Sequence, residues 1–157
     1  MEKVTLSINY TIYDSIEEML PSDKELVLAA FEAQKSSYAP YSGFNVGAAV
    51  RLEDGTIVKG SNQENAASPS GLCAERTAMF TAGAQYPGVP QVSIAIAGGP
   101  GFTLCETPAT PCGACRQVMA EYQMTGGKPM SVIMAGSSAI WKFDRVEDVL
   151  PFIFDSL

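Results

Sequence analysis

Cys73, Cys112 and Cys115 offer three soft sulfur donors, and Glu75 stands two residues beyond the first of them. A zinc ion that activates water takes three protein ligands and keeps a fourth position open. Three thiolates meet that requirement, and Glu75 is placed to move protons without binding the metal. The chain contains no histidine, so every His-ligated metal site is excluded. Cys112 and Cys115 are three apart and face the same way within one helical turn, while Cys73 arrives from an earlier element. A purely structural zinc site would usually carry a second C-x-x-C pair, and this sequence has only the one at Cys112–Cys115. The fourth cysteine, Cys105, reads as a partly buried thiol near a loop. The alternative makes it a fourth ligand that closes the site and turns the metal structural.

Both cysteine groups are expected at helix N-termini, where the partial positive charge stabilises the thiolates that bind zinc. The first helix of the pair is expected over about Cys73 to Ala84. The second runs from near Cys112 to about Gln123, ended by Gly126-Gly127. Ahead of them, Ser22 and Glu25 have the spacing of a capping box, opening a helix with Leu26, Val27, Ala29, Ala30, Phe31 and Ala33 on its apolar face and an end near Ser36–Ser37. Phe44 to Leu52 and Thr56 to Gly60 read as strands joined by a hairpin at Asp54-Gly55. Ser61 to Leu72 is a long polar loop, and such loops are usually functional. Asn62 and Glu64 lie two apart in it, so in an extended segment both side chains point the same way. Val92 to Ala97, Met130 to Ala135 and Ala139 to Phe143 are further strands. Gly98 to Gly101 reads as a loop, and Val146 to Leu150 begins a terminal helix. The succession gives a three-layer α/β/α domain with a mixed sheet of about five strands. Residues 1–20 form an N-terminal extension in which residues 3 to 13 alternate apolar and polar, as a half-buried strand does.

At 157 residues, 46% hydrophobic and 17% charged, the chain is expected to be one ordered globular domain, residues 1–157. No apolar run approaches the ~20 residues of a membrane span, and the N-terminus lacks a secretory pattern. A cytoplasmic protein without a membrane partner is expected. Ten basic against seventeen acidic residues leave a net charge of −7. That balance disfavours nucleic acid polymers, whose binding rests on cationic contacts to phosphate, and suits a small uncharged substrate.

The C-x-E…P-C-x-x-C arrangement is the signature of zinc nucleobase deaminases in the three-cysteine variant. Beyond it, the sequence closely resembles the small homotetrameric cytidine deaminases. The resemblance is carried by Tyr38-Ala39-Pro40-Tyr41-Ser42-Gly43-Phe44, by Asn45-Val46-Gly47-Ala48-Ala49, by Asn62-Gln63-Glu64-Asn65-Ala66 and by Cys73-Ala74-Glu75-Arg76-Thr77-Ala78. Pro111-Cys112-Gly113-Ala114-Cys115-Arg116-Gln117-Val118-Met119 and a late Val149-Leu150-Pro151 complete it. These blocks occur in family order over roughly residues 25 to 154.

The resemblance implies one Zn2+ per subunit and hydrolytic deamination of cytidine and 2′-deoxycytidine in pyrimidine salvage. It implies that Glu75 carries protons from the attacking water to N3 of the ring and then to the departing ammonia. Arg76 would donate hydrogen bonds to ligand sulfurs and offset the excess negative charge of three thiolates; the alternative is a solvated helix arginine. Asn62 and Glu64 would hold the ribose hydroxyls, Phe44 would pack on the pyrimidine, and the Ala74 backbone would meet the base edge. Phe154 would reach the site of an adjacent subunit in a homotetramer; the alternative is that Phe152 and Phe154 cap their own core. Ser68 replaces an aromatic residue found in many relatives, which bears on substrate breadth. Three other readings remain open: a deaminase of modified cytosine nucleosides of the blasticidin S type, a non-catalytic zinc-stabilised binding module, and a nucleic-acid editor, which the charge disfavours.

Overall fold

The computed structural model describes residues 1–155. Among these residues six strands form one mixed sheet in the order β1-β6-β5-β4-β2-β3. In chain order these are β1 (Thr11–Tyr13), β2 (Phe44–Leu52), β3 (Ile57–Ser61), β4 (Gln91–Pro100), β5 (Ser131–Ala135) and β6 (Ile140–Phe143). Three helices cover the sheet: α1 (Pro21–Gln34), α2 (Ala74–Gln85) and α3 (Gly113–Gly126). β4 and β5 run parallel; the other neighbouring pairs are antiparallel. Among the described residues no helix is long and apolar enough to cross a membrane.

The pleat of the sheet sorts the core into two layers. On one face Leu26, Val27 and Ala30 of α1 pack on Ala49, Ala95 and Ile133. On the other, Ala78 and Met79 of α2 and Cys115 and Met119 of α3 pack on Val50, Ile94, Ile96 and Val132. The three-layer α/β/α arrangement therefore stands. The strand count is six rather than about five, because the N-terminal extension adds an edge strand.

Two glycines set how closely the helices lie on the hairpin. A Cβ at Gly47 would fall 2.1 Å from the Ala30 carbonyl oxygen of α1, and one at Gly60 would fall 2.3 Å from the Ala78 amide nitrogen of α2. Both obstacles are backbone, so neither contact can relax by turning a side chain. Gly60→Ala must lift α2, the helix that begins at Cys73, away from β3. We expect this substitution to cost about 1–3 kcal/mol, read from urea denaturation, and to lower zinc retention with it; an unchanged denaturation midpoint would contradict the close approach.

The hairpin forms at Asp54-Gly55 as expected: Gly55 takes φ 93°, and Asp54 accepts from the Thr56 amide at 2.9 Å. Several expectations are corrected. α1 starts at Pro21, with Leu20 before it and no side-chain cap. Proline at the first helical position fixes φ for the helix, which places Ser22 inside the first turn, where it cannot cap. Glu25 instead pairs with Arg51 at 2.8 Å. The helix stops at Gln34, short of Ser36–Ser37. β4 continues through Gly98 and Gly99 to Pro100, where a loop was expected, because β2 pairs with it as far as Phe44↔Pro100. The terminal helix is a single 3-10 turn, Val146–Asp148; Pro151 follows too soon for an α-helix to develop. Of the alternating residues 3 to 13, only Thr11–Tyr13 join a ladder, since β6 is four residues long. Tyr10 still stacks on Phe143 at 5.0 Å.

Candidate metal centre and active site

α2 and α3 both begin at a cysteine. Cys73 is the residue that precedes the first turn of α2, and Cys112 holds the same place before α3. Neither end has a side-chain cap, so free amide groups and the positive end of each helix face the thiols. Cys115 follows one turn into α3, fully buried against the α2 layer. Gln123 fixes the far end of α3: its Oε1 accepts from the Met130 and Val146 amides, each at 3.0 Å.

The three sulfur atoms lie within 4.8 Å of one another, with Cys112 and Cys115 3.6 Å apart. A tetrahedral ion with Zn–S bonds of about 2.3 Å spaces its sulfurs by about 3.8 Å, so the trio fits zinc both in donor type and in spacing. The Cys73 thiol is brought down to about 5, chiefly by the hydrogen bond from Cys115 and then by Arg76. The same contact with Cys73, together with burial, pushes Cys115 up.

Arg76, one turn along α2, places Nη2 3.6 Å from Cys73 Sγ. Its Nε is buried without a hydrogen-bond partner among the described residues, which the reading as a solvated helix arginine does not explain. Glu75 is only 5% exposed. Burial raises its carboxyl above the ordinary value, and the neighbouring Cys73 charge adds to the effect. Ala74 is fully buried beside it.

An open cleft of about 460 Å3 reaches this centre, lined by Tyr41, Asn62, Glu64, Ser68, Cys73 and Arg76 among others. The structure therefore joins the polar loop to the first cysteine. Asn62 also ties the loop to the start of β2: Oδ1 accepts from the Val46 amide and Nδ2 donates to the Phe44 carbonyl, both at 2.8 Å. Glu64 Oε2 accepts from the Tyr41 amide at 2.8 Å and the Ser42 amide at 3.3 Å. The Ser42 and Tyr41 hydrogen bonds hold the Glu64 carboxyl below its ordinary value.

Phe44, Ala74, Glu75 and Phe154 do not line that cleft. Phe44 is half-buried at the start of β2. Phe154 is 63% exposed and lies against α3, where Gln117 Nε2 donates to its carbonyl at 2.7 Å. Phe152 is 88% exposed, so neither phenylalanine caps the core of its own chain. Cys105 is half-buried outside the sulfur cluster; its amide bonds Gly98 and its carbonyl accepts from Ser137. Sequence reasoning missed Tyr41 as a cleft wall and Gln117 as a tail contact. Both belong to motif blocks, but their contacts here run through backbone groups, which no spacing rule marks.

The cytidine and deoxycytidylate deaminase zinc-binding region matches residues 20–126. The cytidine deaminase of Halalkalibacterium halodurans is 45% identical over 98 residues, covering 61% of this chain and 68% of that protein. That of Sporosarcina psychrophila is 44% identical over 100 residues, 63% of this chain and 68% of that one. Among solved structures, the Burkholderia pseudomallei cytidine deaminase superposes with a TM-score of 0.70 at 38% identity, over 83% of this chain and 97% of that one. With the thiol trio, the buried glutamate and the shared sheet agreeing, this chain belongs to the cytidine and deoxycytidylate deaminase family and is a zinc-dependent hydrolytic deaminase.

Proposed function

We propose that the chain deaminates cytidine and 2′-deoxycytidine, giving uridine or 2′-deoxyuridine and ammonia. The observation that carries this reading is the buried Glu75 carboxyl beside three converging thiols, with Cys73 opening onto a cleft walled by Asn62 and Glu64.

Cys73, Cys112 and Cys115 would hold a zinc ion, which would supply the Lewis acid that makes water nucleophilic near neutral pH. Glu75 accepts the proton released as that nucleophile adds to C4 and passes it to N3. It then relays the proton of the new hydroxyl to the C4 amine, which leaves as ammonia. A carboxyl raised by burial suits a group that must be base and then acid. Arg76 donates toward Cys73 Sγ and draws off part of the thiolate charge.

At the other end of the cleft, Asn62 keeps one N–H and one carbonyl lone pair beyond its two backbone bonds, enough to meet a ribose hydroxyl. Glu64, ionised at neutral pH, accepts from a vicinal diol and repels a 5′-phosphate. Phe44 is assigned to the pyrimidine and the Ala74 backbone to the base edge, although neither lines the cleft of the single chain. Ser68 gives the cleft a small polar wall. The reading extends to a cytoplasmic homotetramer acting in pyrimidine salvage, in which Phe154 completes the site of a neighbouring copy.

Ammonia release from cytidine, deoxycytidine, cytidine monophosphate and adenosine, each with zinc-loaded protein, tests the assignment. Turnover of the two nucleosides of cytosine is expected. Preference for the nucleotide or for adenosine would overturn it.

A further inference from the structure

The chain beyond the 3-10 turn is held by two consecutive side chains of α3. Arg116 Nη1 donates to the Val149 carbonyl at 2.8 Å, while its Nε donates to the Pro111 carbonyl, also at 2.8 Å. Gln117 meets both backbone groups of a single residue: Nε2 donates to the Phe154 carbonyl at 2.7 Å, and Oε1 accepts from the Phe154 amide at 3.3 Å. A primary amide can do this because it carries a donor and an acceptor side by side. The result mimics one rung of a β-ladder.

Between these two anchors the tail divides its side chains. Val149 is buried, and Leu150 and Ile153 pack against the α2–α3 core. Phe152 and Phe154 point away, 88% and 63% exposed. Terminal segments fray unless tied down, and an exposed phenylalanine on a frayed segment has no fixed direction. Cys112 precedes α3 and Cys115 lies in its first turn, so Arg116 and Gln117 stand one and two residues beyond Cys115, and the tail is referenced to the thiol cluster through rigid helix.

We propose that Gln117 is a positioning residue for Phe154, fixing its backbone so that the ring leaves the subunit in one orientation. This rests on the reading above that Phe154 completes the site of a neighbouring copy. Gln117 then governs how well substrate is held and leaves the chemistry of Glu75 untouched. Its contribution appears in KM and not in kcat.

The test compares Gln117→Met, which keeps length and loses both polar atoms, with Phe154→Ala and with the double variant, all zinc-loaded and assayed with cytidine. Gln117→Met should raise KM by about 3–10-fold, the loss of one or two hydrogen bonds, with kcat and zinc stoichiometry within about twofold. Hydrogen exchange in a peptide covering residues 149–155 should quicken. The double variant should have the KM of Phe154→Ala alone, since a positioning residue adds nothing once its object is gone. Gln117→Glu keeps an acceptor for the Phe154 amide but sets a second acceptor against the Phe154 carbonyl, so it should raise KM at least as far as Gln117→Met. It serves as the measured variant if the methionine form is poorly folded.

If Phe154→Ala raises KM while Gln117→Met and Gln117→Glu do not, the clamp is idle and the shared site stands. If the two substitutions multiply in the double variant, Gln117 acts by another route and the proposal fails. If Phe154→Ala leaves KM unchanged, the shared site is wrong and the proposal falls with it.

Discussion

Glu75→Gln should leave the fold and the zinc in place while turnover falls by at least about 10²–10⁴-fold, the usual share of general acid–base catalysis. The amide fills the same volume in a site that is 5% exposed, so packing is conserved. It cannot accept a proton from the nucleophile or return one to the ring, and in the proposed reaction a single group handles every transfer. The burial that raises the Glu75 carboxyl is a cost of holding charge out of water. Glutamine removes that cost, so the thermal midpoint of the variant should match or exceed wild type. Zinc stoichiometry, thermal denaturation and single-turnover kinetics measured on one preparation separate these effects. Turnover near wild type would reject Glu75 as the proton carrier.

Cys115→Ser should be the most damaging of the cysteine substitutions. A neutral hydroxyl replaces a buried thiolate donor, and the site falls to two sulfur ligands. Loss of a supporting contact around a metal typically costs 10–100-fold in affinity or activity, so loss of a ligand should exceed about 100-fold, with turnover lost alongside. The hydroxyl is also placed in a fully buried position among Ala78, Met79 and Met119, so some stability goes with the metal. Zinc release to a colorimetric chelator gives the affinity directly. Cys105→Ser is the control: it lies outside the sulfur cluster and should keep full zinc content and activity. Zinc loss in the Cys105 variant would mean a closed four-cysteine site and would end the catalytic reading.

Each half of the thiol cluster was legible in the sequence because its parts are local. Cys112 and Cys115 share one helical turn, and Cys73 and Glu75 are two residues apart, so spacing alone fixes most of their geometry. The hairpin was legible for a similar reason, since Gly55 supplies the positive φ that the turn requires. Errors came where a competing neighbour decided the outcome. Pro21 started α1 before Ser22 could cap it, and Pro151 cut the terminal helix to a single turn. The alternation of residues 3 to 13 marked a half-buried strand, yet only Thr11–Tyr13 join the sheet and residues 3 to 12 are exposed on both faces, because a ladder is only as long as its partner and β6 offers four residues. The walls of the cleft were legible in part. Asn62 and Glu64 were anticipated as ribose contacts; what the structure shows of them is that they brace the segment from Tyr41 to Val46 through its amides and carbonyls, a structural duty that no residue type announces.

That α2 and α3 each begin at a cysteine of the thiol trio has a consequence for folding as well as for reactivity. β4 lies between the two helices in the chain, so an ion shared by Cys73 and Cys112 closes a loop of roughly forty residues around the central strand of the sheet. Treated as a cross-link, such a closure removes about 4 kcal/mol of chain entropy from the unfolded state. Zinc is then a fastener as well as a reagent. A chain starved of it loses the clasp that holds α2, β4 and α3 together, and its stability becomes a function of how much free metal the surroundings provide.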